Sequence, residues 1–281
     1  GSGRFYSFTW EMDKRLKNKF PKWCFSDKEF ATVLTDDIDS LLGCSIEKMV
    51  KGNEINYFYD FNKLYVADQD NNKSILGIDL ALHKGYCWDN HCVRINKDDY
   101  VNPLTANINA IRNIHSENYF DKYAGSTSLM MWSFYDLPLP KTKLGKMLLL
   151  AIDSGHLGHY DDRFKQVHNR YLELLEFSEL IDLLNQTKKE DYEELIKRYK
   201  LNAKNGGKIY INKDGYLHTQ LPLRELQRFF GIPLELPDSQ FTKTHEWDSG
   251  YGNTYNIKSK DELGNIISFA LIGKNRFSYT K

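Results

Sequence analysis

The chain has 281 residues and carries 38 basic and 38 acidic side chains, so its formal net charge is zero. Hydrophobic residues make up 41% and charged residues 27%, a composition typical of a globular protein that can bury a sizeable core. The zero balance argues against a protein that binds long nucleic acid through bulk positive charge. No apolar run approaches the roughly 18 residues that a membrane span needs, so we expect no membrane association.

Cysteine usage and the N-terminus bear on the cellular compartment. The four cysteines are too few for a disulfide framework and fit a reducing compartment, so we expect a cytoplasmic protein. The start Gly1-Ser2-Gly3 is typical of a cloning remnant, which implies that the native start is missing, and no signal peptide is recognisable. The abundance of Lys, Asn, Tyr and Ile indicates an AT-rich coding genome, bacterial or phage.

The first part of the chain alternates strands and helices. Residues 30–35 are apolar and β-branched and predict a buried strand, followed by helical spacing that stops at Gly52. Residues 55–61 and 74–80 predict two more strands, and residues 87–95 contain a fourth. These apolar runs predict an α/β fold with a mostly parallel sheet and flanking helices.

The middle of the chain is predicted to be helical, and the end is predicted to be rich in strands. We expect helices over residues 107–114, 126–135 and 141–152, a long helix or helix pair over 164–184, and a charged, solvated helix over 188–201. Short strands and one helix, residues 223–230, follow the Asn205-Gly206-Gly207 break. The predicted domains are an α/β domain (4–185), a charged helical connector (186–207) and a smaller, β-rich C-terminal α+β domain (208–281) for substrate or interaction.

Acidic residues follow the predicted strands. Asp37 and Asp39 come after the first strand, Asp79 ends another, and Asp89 and His91 follow shortly, while Asp153 ends an apolar helix. Ligands of open α/β sheets bind outside the carboxyl ends of the strands, so we expect these side chains to converge there. Carboxylates with imidazole suit Mn²⁺, Mg²⁺ or Fe. Each piece also has a structural interpretation, since Asp-x-Asp after a strand is often only a helix cap.

The order of these motifs resembles the DHH phosphoesterase superfamily over about residues 30–185. Residues 33–43, which contain Asp37-Ile38-Asp39, resemble its first motif, and residues 76–79 resemble its second. Trp88-Asp89-Asn90-His91 resembles the Asp-His-His motif that names the family. Residues 124–129 (AGSTSL) are similar to its small, Ser/Thr-rich helix start, and residues 148–155 are similar to its fourth motif, a helix that runs into Asp-Thr-Gly.

The resemblance implies a hydrolase that uses two Mn²⁺ or Mg²⁺ ions to activate water against a phosphoryl group. The implied substrate is a small nucleotide, a short oligonucleotide or another phosphorylated molecule. The implied metal ligands are Asp37, Asp39, Asp79, His91 and Asp153, with Asp89 added as a catalytic residue and His91 assisting or contacting phosphate. The chain departs from the family at Val33 and Asn90, where the family often has histidines, and it lacks the family's Gly-Gly-Gly-His signature.

Those departures leave a second hypothesis open. A catalytically degenerate relative, encoded by a phage or mobile element, would retain the fold and act by binding a protein partner. The oligomeric state also stays open, with a homodimer as one alternative.

For the substrate we predict phosphate contacts from Arg224, His245 and Arg276, since guanidinium groups match phosphate geometry. Lys274 and Arg228 belong to the same basic set, for which a solvated surface is the alternative. Trp247, Tyr251, Tyr255, Phe277 and Tyr279 could stack bases, or serve as sheet residues.

Two further histidine-containing sets carry less information. His83, Cys87, His91 and Cys92 lie within ten residues and raise a zinc alternative, but the spacing matches no common zinc motif. His156 and His159 follow Asp153 and predict a surface loop, with a supporting or phosphate-binding role if Asp153 binds metal.

Overall fold

The computed structural model describes residues 12–281, so Gly1-Ser2-Gly3 lies outside the described residues. In chain order the strands are β1 (Phe30–Leu34), β2 (Ile55–Tyr59), β3 (Lys63–Val66), β4 (Ser74–Ile78), β5 (Tyr86–Trp88), β6 (Thr105–Ala106), β7 (Ile209–Ile211), β8 (Leu217–Thr219), β9 (Thr242–Glu246), β10 (Ser249–Asn253), β11 (Ser268–Leu271) and β12 (Arg276–Thr280). The helices are α1 (Lys14–Lys17), α2 (Ile38–Lys51), α3 (Ile108–Ile111), α4 (Thr127–Phe134), α5 (Lys143–Ala151), α6 (Lys165–Leu174), α7 (Ser178–Gln186), α8 (Lys189–Tyr199) and α9 (Leu223–Phe230).

A seven-stranded sheet with the order β6-β5-β4-β1-β2-β3-β9 forms the centre of the protein. The five strands from β6 to β2 are parallel, whereas β3 runs antiparallel to β2 and β9 antiparallel to β3. All five residues of β1 are buried, as expected for a central parallel strand that is covered on both faces. The predicted α/β fold with a mostly parallel sheet and flanking helices is therefore confirmed.

Local signals place the helix that follows β1. Asp37 caps α2 by accepting a hydrogen bond from the backbone N–H of Ser40 at 3.0 Å, and Gly52 ends the helix with a φ of 74°. The adjacent α4 is buried all round, so its eight residues form part of the core rather than an amphipathic surface. These two helices pack against each other beside the central strands.

The chain after residue 207 adds small antiparallel sheets and one edge of the central sheet. β7 pairs with β8, and β10-β12-β11 form a three-stranded sheet. β9 extends the central sheet beyond β3, and isolated bridges join Leu82 to Ser268 and Cys92 to Leu271. The C-terminal segments thus contact the parallel sheet directly, while the domain boundaries proposed above stay a prediction.

Two polar segments are more buried than their sequences predict. The helix predicted over 188–201 exists as α8, but it is not solvated all round, because it buries Tyr192, Leu195 and Ile196 on one face. The surface loop predicted for His156 and His159 is wrong, because both side chains are buried. Among residues 12–281, no helix is both long and apolar enough to cross a membrane.

Candidate metal centre

The carboxyl ends of three adjacent parallel strands supply most of the predicted acidic residues. Asp37 follows β1, Asp79 follows β4 and Asp89 follows β5, and these strands lie side by side in the sheet. Asp153 follows α5 and comes close to the same edge, since its Oδ2 lies 3.3 Å from the Asn90 side-chain nitrogen. We call Asp37, Asp39, Asp79, Asp89, His91 and Asp153 the carboxyl-edge cluster.

The N-terminus of α4 holds the Asp39 carboxylate. The backbone N–H groups of Thr127 and Ser128 donate to its two oxygens at 3.0 and 2.8 Å, while Ser126 caps the helix. A helix N-terminus offers free N–H groups and a positive dipole end, so it stabilises a carboxylate that is only 1% exposed. The segment from Gly125 to Ser128 thus positions one member of the cluster.

A chain of hydrogen bonds links Asp79 to Asp153 through Thr127 and Asn90. The Thr127 hydroxyl lies 2.8 Å from Asp79 Oδ1 and 3.0 Å from Asn90 Oδ1. The Asn90 amide in turn donates to the Gly125 carbonyl at 2.5 Å and to Asp153. One hydroxyl carries one hydrogen, so both contacts of Thr127 are satisfied when Asp79 is protonated and donates to it.

A buried carboxylate orients the imidazole of His91. Asp89 Oδ1 lies 2.5 Å from His91 Nδ1, and its Oδ2 accepts from the Asn107 amide at 3.2 Å. The Asp89 side chain is fully buried, whereas the His91 side chain is 35% exposed. Burial opposes the charge on His91, but the charge of Asp89 and its hydrogen bond dominate and raise the pKa of His91 to about 9.

Three members of the cluster have the geometry of a metal-ligand group. One ligand atom each from Asp79, Asp89 and His91 lies within 4.8 Å of the other two. We call these residues the triad. Two carboxylate oxygens and an imidazole nitrogen suit a divalent cation such as Mn²⁺, and an imidazole held by a carboxylate is the usual arrangement around a metal ligand. Within residues 12–281, no other set of three such side chains meets this criterion.

The electrostatics of the cluster favour a cation. Burial and then the charge of Asp153 raise the pKa of Asp39 to about 7. Burial and then the charges of Asp39 and Asp37 raise the pKa of Asp79 well above its usual range. Buried carboxylates that share a site are costly unless they bind protons or a cation. The donor set and its excess of negative charge therefore fit a divalent metal ion.

Backbone conformation at the cluster is unusual as well. Asp79, Asp153 and Ser154 have φ angles of 56°, 51° and 50°, in the left-handed region that favours glycine. Such conformations cost on the order of 1 kcal/mol each and concentrate at functional sites. The turn at Asp153-Ser154 also separates two cavities, because both residues line each of them.

The two cavities differ in their walls. The smaller one, of about 180 Å³, is lined by Asp36, Asp37 and Asp39 and by Lys208, which pairs with Asp36 at 3.5 Å. The larger one, of about 410 Å³, has aromatic and basic walls and includes Lys274 from the β11–β12 hairpin.

The substrate-binding residues predicted from the sequence lie elsewhere. Arg224, His245 and Arg276 are exposed on α9, β9 and β12, and none of the three lines either cavity beside Asp153. His245 lies on the edge strand of the central sheet, where its ring stacks on Trp247 at 5.4 Å. Only Lys274 of the basic set identified in the sequence reaches a cavity of the cluster.

Some residues around the cluster could be identified from the sequence and others could not. The Ser/Thr-rich helix start signalled Thr127, but no local pattern indicates Lys122 or Arg163, which line the larger cavity. The zinc alternative lacks support, because Cys87 and Cys92 are buried free thiols outside the one metal-ligand group found in the described residues.

Comparisons of the chain with protein-family models, characterised proteins and solved structures found no match. The class of the protein therefore rests on its fold and its site. It is an α/β protein whose mostly parallel sheet carries a carboxylate–imidazole cluster at the carboxyl edge. This is the edge at which open α/β sheets bind ligands.

Proposed function

We propose that the chain is a divergent relative of the DHH phosphoesterases and hydrolyses a small phosphorylated substrate with the help of Mn²⁺ or Mg²⁺. The substrate is a nucleotide, a short oligonucleotide or a related phosphate ester. The observation that carries the proposal is the triad, in which Asp79, Asp89 and His91 present three ligand atoms within 4.8 Å. The order of the acidic motifs along adjacent parallel strands supports the same proposal.

Several residues position the side chains of the triad and of the neighbouring Asp39. A bound divalent cation lowers the pKa of a coordinated water and neutralises charge on a phosphoryl group. Asp89 fixes the orientation of His91 through Nδ1 and leaves Nε2 available. Thr127 holds the Asp79 carboxyl group, and the α4 N-terminus holds Asp39 beside it. These contacts preorganise the ligands, so little rearrangement is needed when a cation binds.

The geometry favours one tightly held ion over two. A second ion would require Asp37, Asp39 and Asp153, and among the described residues these do not form a second set of three closely spaced ligand atoms. The Asn90 amide donates to Asp153, where the related family has a metal-binding imidazole in place of Asn90. An amide hydrogen thus partly neutralises Asp153 in place of a second cation. We expect any second ion to bind weakly.

The proposal is tested by turnover. The purified chain is incubated with Mn²⁺ or Mg²⁺ and a panel of dinucleotides, cyclic dinucleotides and pyrophosphate. We expect metal-dependent hydrolysis of at least one substrate, abolished by EDTA and by Asp79→Asn, which keeps the side-chain shape. Asp70→Asn is the matched control, because Asp70 is an exposed carboxylate in the loop between β3 and β4. Turnover that persists in Asp79→Asn would refute the assignment.

One observation supports a second candidate function, that of a non-catalytic relative that binds a protein partner. The N-terminus of α4 and the Asn90 amide satisfy Asp39 and Asp153 without any cation. A degenerate site would retain such contacts. Absence of both metal binding and turnover in a folded chain would favour this candidate over the hydrolase.

A further inference from the structure

The larger cavity beside Asp153 has an aromatic wall that has no part in the proposed metal binding. The rings of Tyr119, Phe120 and Phe164 contact one another, with centroids 6.0 Å apart for Tyr119–Phe120, 6.2 Å for Tyr119–Phe164 and 5.2 Å for Phe120–Phe164. Phe120 and Phe164 are only half-buried, so part of each ring is exposed. A cavity of about 410 Å³ falls in the range of small-molecule sites.

Basic side chains lie over these rings. Lys122 Nζ is 4.7 Å from the Tyr119 ring, and Lys274 Nζ is 5.7 Å from the Phe120 ring. Arg163 also lies over Phe120 at 5.2 Å, but Asp161 pairs with it at 2.8 Å. Neither lysine forms a salt bridge with a carboxylate in the part of the chain that the structure describes. Two positive charges therefore remain available to an anion.

Two contacts connect this cavity to the metal centre and to the C-terminal hairpin. Asp153 and Ser154 line the cavity, and Lys122 lies near enough to His91 and Asp153 for its charge to influence their protonation. The Lys274 carbonyl accepts a hydrogen bond from Ser116 Oγ at 2.6 Å, which anchors the hairpin against the cavity. A molecule bound here would have one end at the acidic cluster.

We propose that this aromatic–basic cavity binds the nucleoside end of the substrate, with Lys122 and Lys274 contacting a phosphate beyond the scissile one. The inference rests on the proposed function for the position of the scissile phosphate. A planar base gains from stacking on aromatic side chains, and a lone sugar phosphate or pyrophosphate does not. The neighbouring cavity contains one lysine, Lys208, which Asp36 already pairs at 3.5 Å, so the cavity with Lys122 and Lys274 is the better match for the anionic, base-bearing end. The substrate class is therefore a nucleotide.

Binding without turnover tests this inference separately from hydrolysis. The full chain is titrated calorimetrically in EDTA with adenosine 5′-monophosphate, ribose 5-phosphate and inorganic phosphate. We expect the nucleotide to bind more tightly than ribose 5-phosphate by roughly 5- to 150-fold, the range of a base stacked on an aromatic ring. Equal affinity for the two would overturn the inference.

Substitutions in the cavity show which side chains contribute to the affinity for the nucleotide. Phe120→Leu keeps apolar volume but removes the ring, so it should abolish the preference for the nucleotide, whereas Phe120→Tyr should retain it. Lys274→Ala should weaken the binding of adenosine 5′-monophosphate and of ribose 5-phosphate. Lys213 is an exposed lysine in the β7–β8 turn, so Lys213→Ala should leave the affinities for these two ligands unchanged. Lys274 is exposed, so this variant keeps the test valid if Phe120→Leu fails to fold. If Phe120→Leu and Lys274→Ala both bind these ligands with wild-type affinities, the inference is overturned.

The outcomes distinguish this inference from the proposed function. If the chain binds the nucleotide through Phe120 and Lys274 but hydrolyses nothing with any metal, the cavity assignment stands and the hydrolase fails. If the chain hydrolyses bis(p-nitrophenyl) phosphate but shows no preference for nucleotides, the hydrolase stands and the cavity assignment fails.

Discussion

Replacing Thr127 by valine removes one hydroxyl group from the proposed metal centre while it keeps the shape of the side chain. The side chain is fully buried, and its hydroxyl lies 2.8 Å from Asp79 and 3.0 Å from Asn90. The backbone N–H groups of Thr127 and Ser128 remain, so the contacts to Asp39 are unchanged by this substitution. Thr127→Val therefore isolates the hydroxyl contact that orients one ligand of the triad.

The contacts of the Thr127 hydroxyl allow the effect of Thr127→Val on metal affinity and on stability to be estimated. Loss of a residue that hydrogen-bonds to a metal ligand typically lowers metal affinity about 10- to 100-fold. A lost hydrogen bond to a buried carboxyl group costs about 1–3 kcal/mol, which is a similar amount in free energy. We expect Thr127→Val to show both effects, a weaker affinity for Mn²⁺ and a lower free energy of unfolding.

Calorimetric titration with Mn²⁺ and urea unfolding in EDTA measure these two effects. Thr127→Ser is the matched control, because it keeps the hydroxyl and loses only a methyl group, so its Mn²⁺ affinity should stay near that of the wild type. If Thr127→Val binds Mn²⁺ as tightly as the wild type, the hydroxyl does not orient a metal ligand. Equal losses in the valine and serine variants would assign the effect to packing instead.

Four further predictions concern the same cluster and the buried core. Asn90→Asp adds a carboxylate next to Asp153, so unfolding in EDTA should show a destabilised protein that Mn²⁺ stabilises more than it does the wild type. Burial opposes the charge on His91, but the charge and hydrogen bond of Asp89 raise its pKa to about 9. Mn²⁺ must therefore displace a proton from this triad ligand, and calorimetry should give tighter binding at pH 8 than at pH 6. Burial and then the charge of His159 lower the pKa of His168 to about 4. Between pH 6.5 and 4 the unfolded chain therefore binds a proton at His168 that the folded chain does not. In urea unfolding, the free energy of unfolding of the wild type should fall by about 1.4 kcal/mol per pH unit relative to that of His168→Leu over this range. Glu47→Ala leaves the buried donors of Trp88 and Asn53 without an acceptor and should cost about 3 kcal/mol or more in urea unfolding, whereas Glu47→Gln should cost less.

Elements with strong local signals were predictable from the sequence. The apolar run of β1, the Asp37 cap and the Gly52 stop of α2 each act within a few residues, and the structure confirms them. The helix predicted over residues 126–135 exists as α4, and Ser126 caps it. The position of Asp79 at a strand end followed from the same patterns. That of Asp89 did not, because the fourth strand was predicted only within residues 87–95, and β5 ends at Trp88.

The strand β9 shows why other elements could not be predicted. Its five residues are all exposed and follow no apolar alternation, so the strand exists because β3 offers an open edge far away in the sequence. Pairing between distant segments leaves no local trace at such an edge strand. His156 is a similar case, because its burial depends on a stacking contact with Tyr192, 4.8 Å away between ring centroids.

The basic residues of the proposed substrate side were the least predictable part of the site. Lys122 and Arg163 come from two separate segments of the helical region, and the fold alone brings them to one cavity. The residue types named from the sequence were chemically reasonable, yet neither Arg224 nor Arg276 lines a cavity beside Asp153. Charge type is readable from sequence, but the position of a long side chain on a folded surface is not.

Calorimetric titration of the metal-free chain with Mn²⁺ tests the central claim most directly. The triad predicts one tightly bound ion per chain in the wild type and in Asp70→Asn. Asp79→Asn is predicted to lose affinity by more than about 100-fold, because it removes a ligand rather than a neighbour of one. A folded wild-type chain that binds no Mn²⁺, or an Asp79→Asn variant that binds it as tightly as the wild type, would contradict the account.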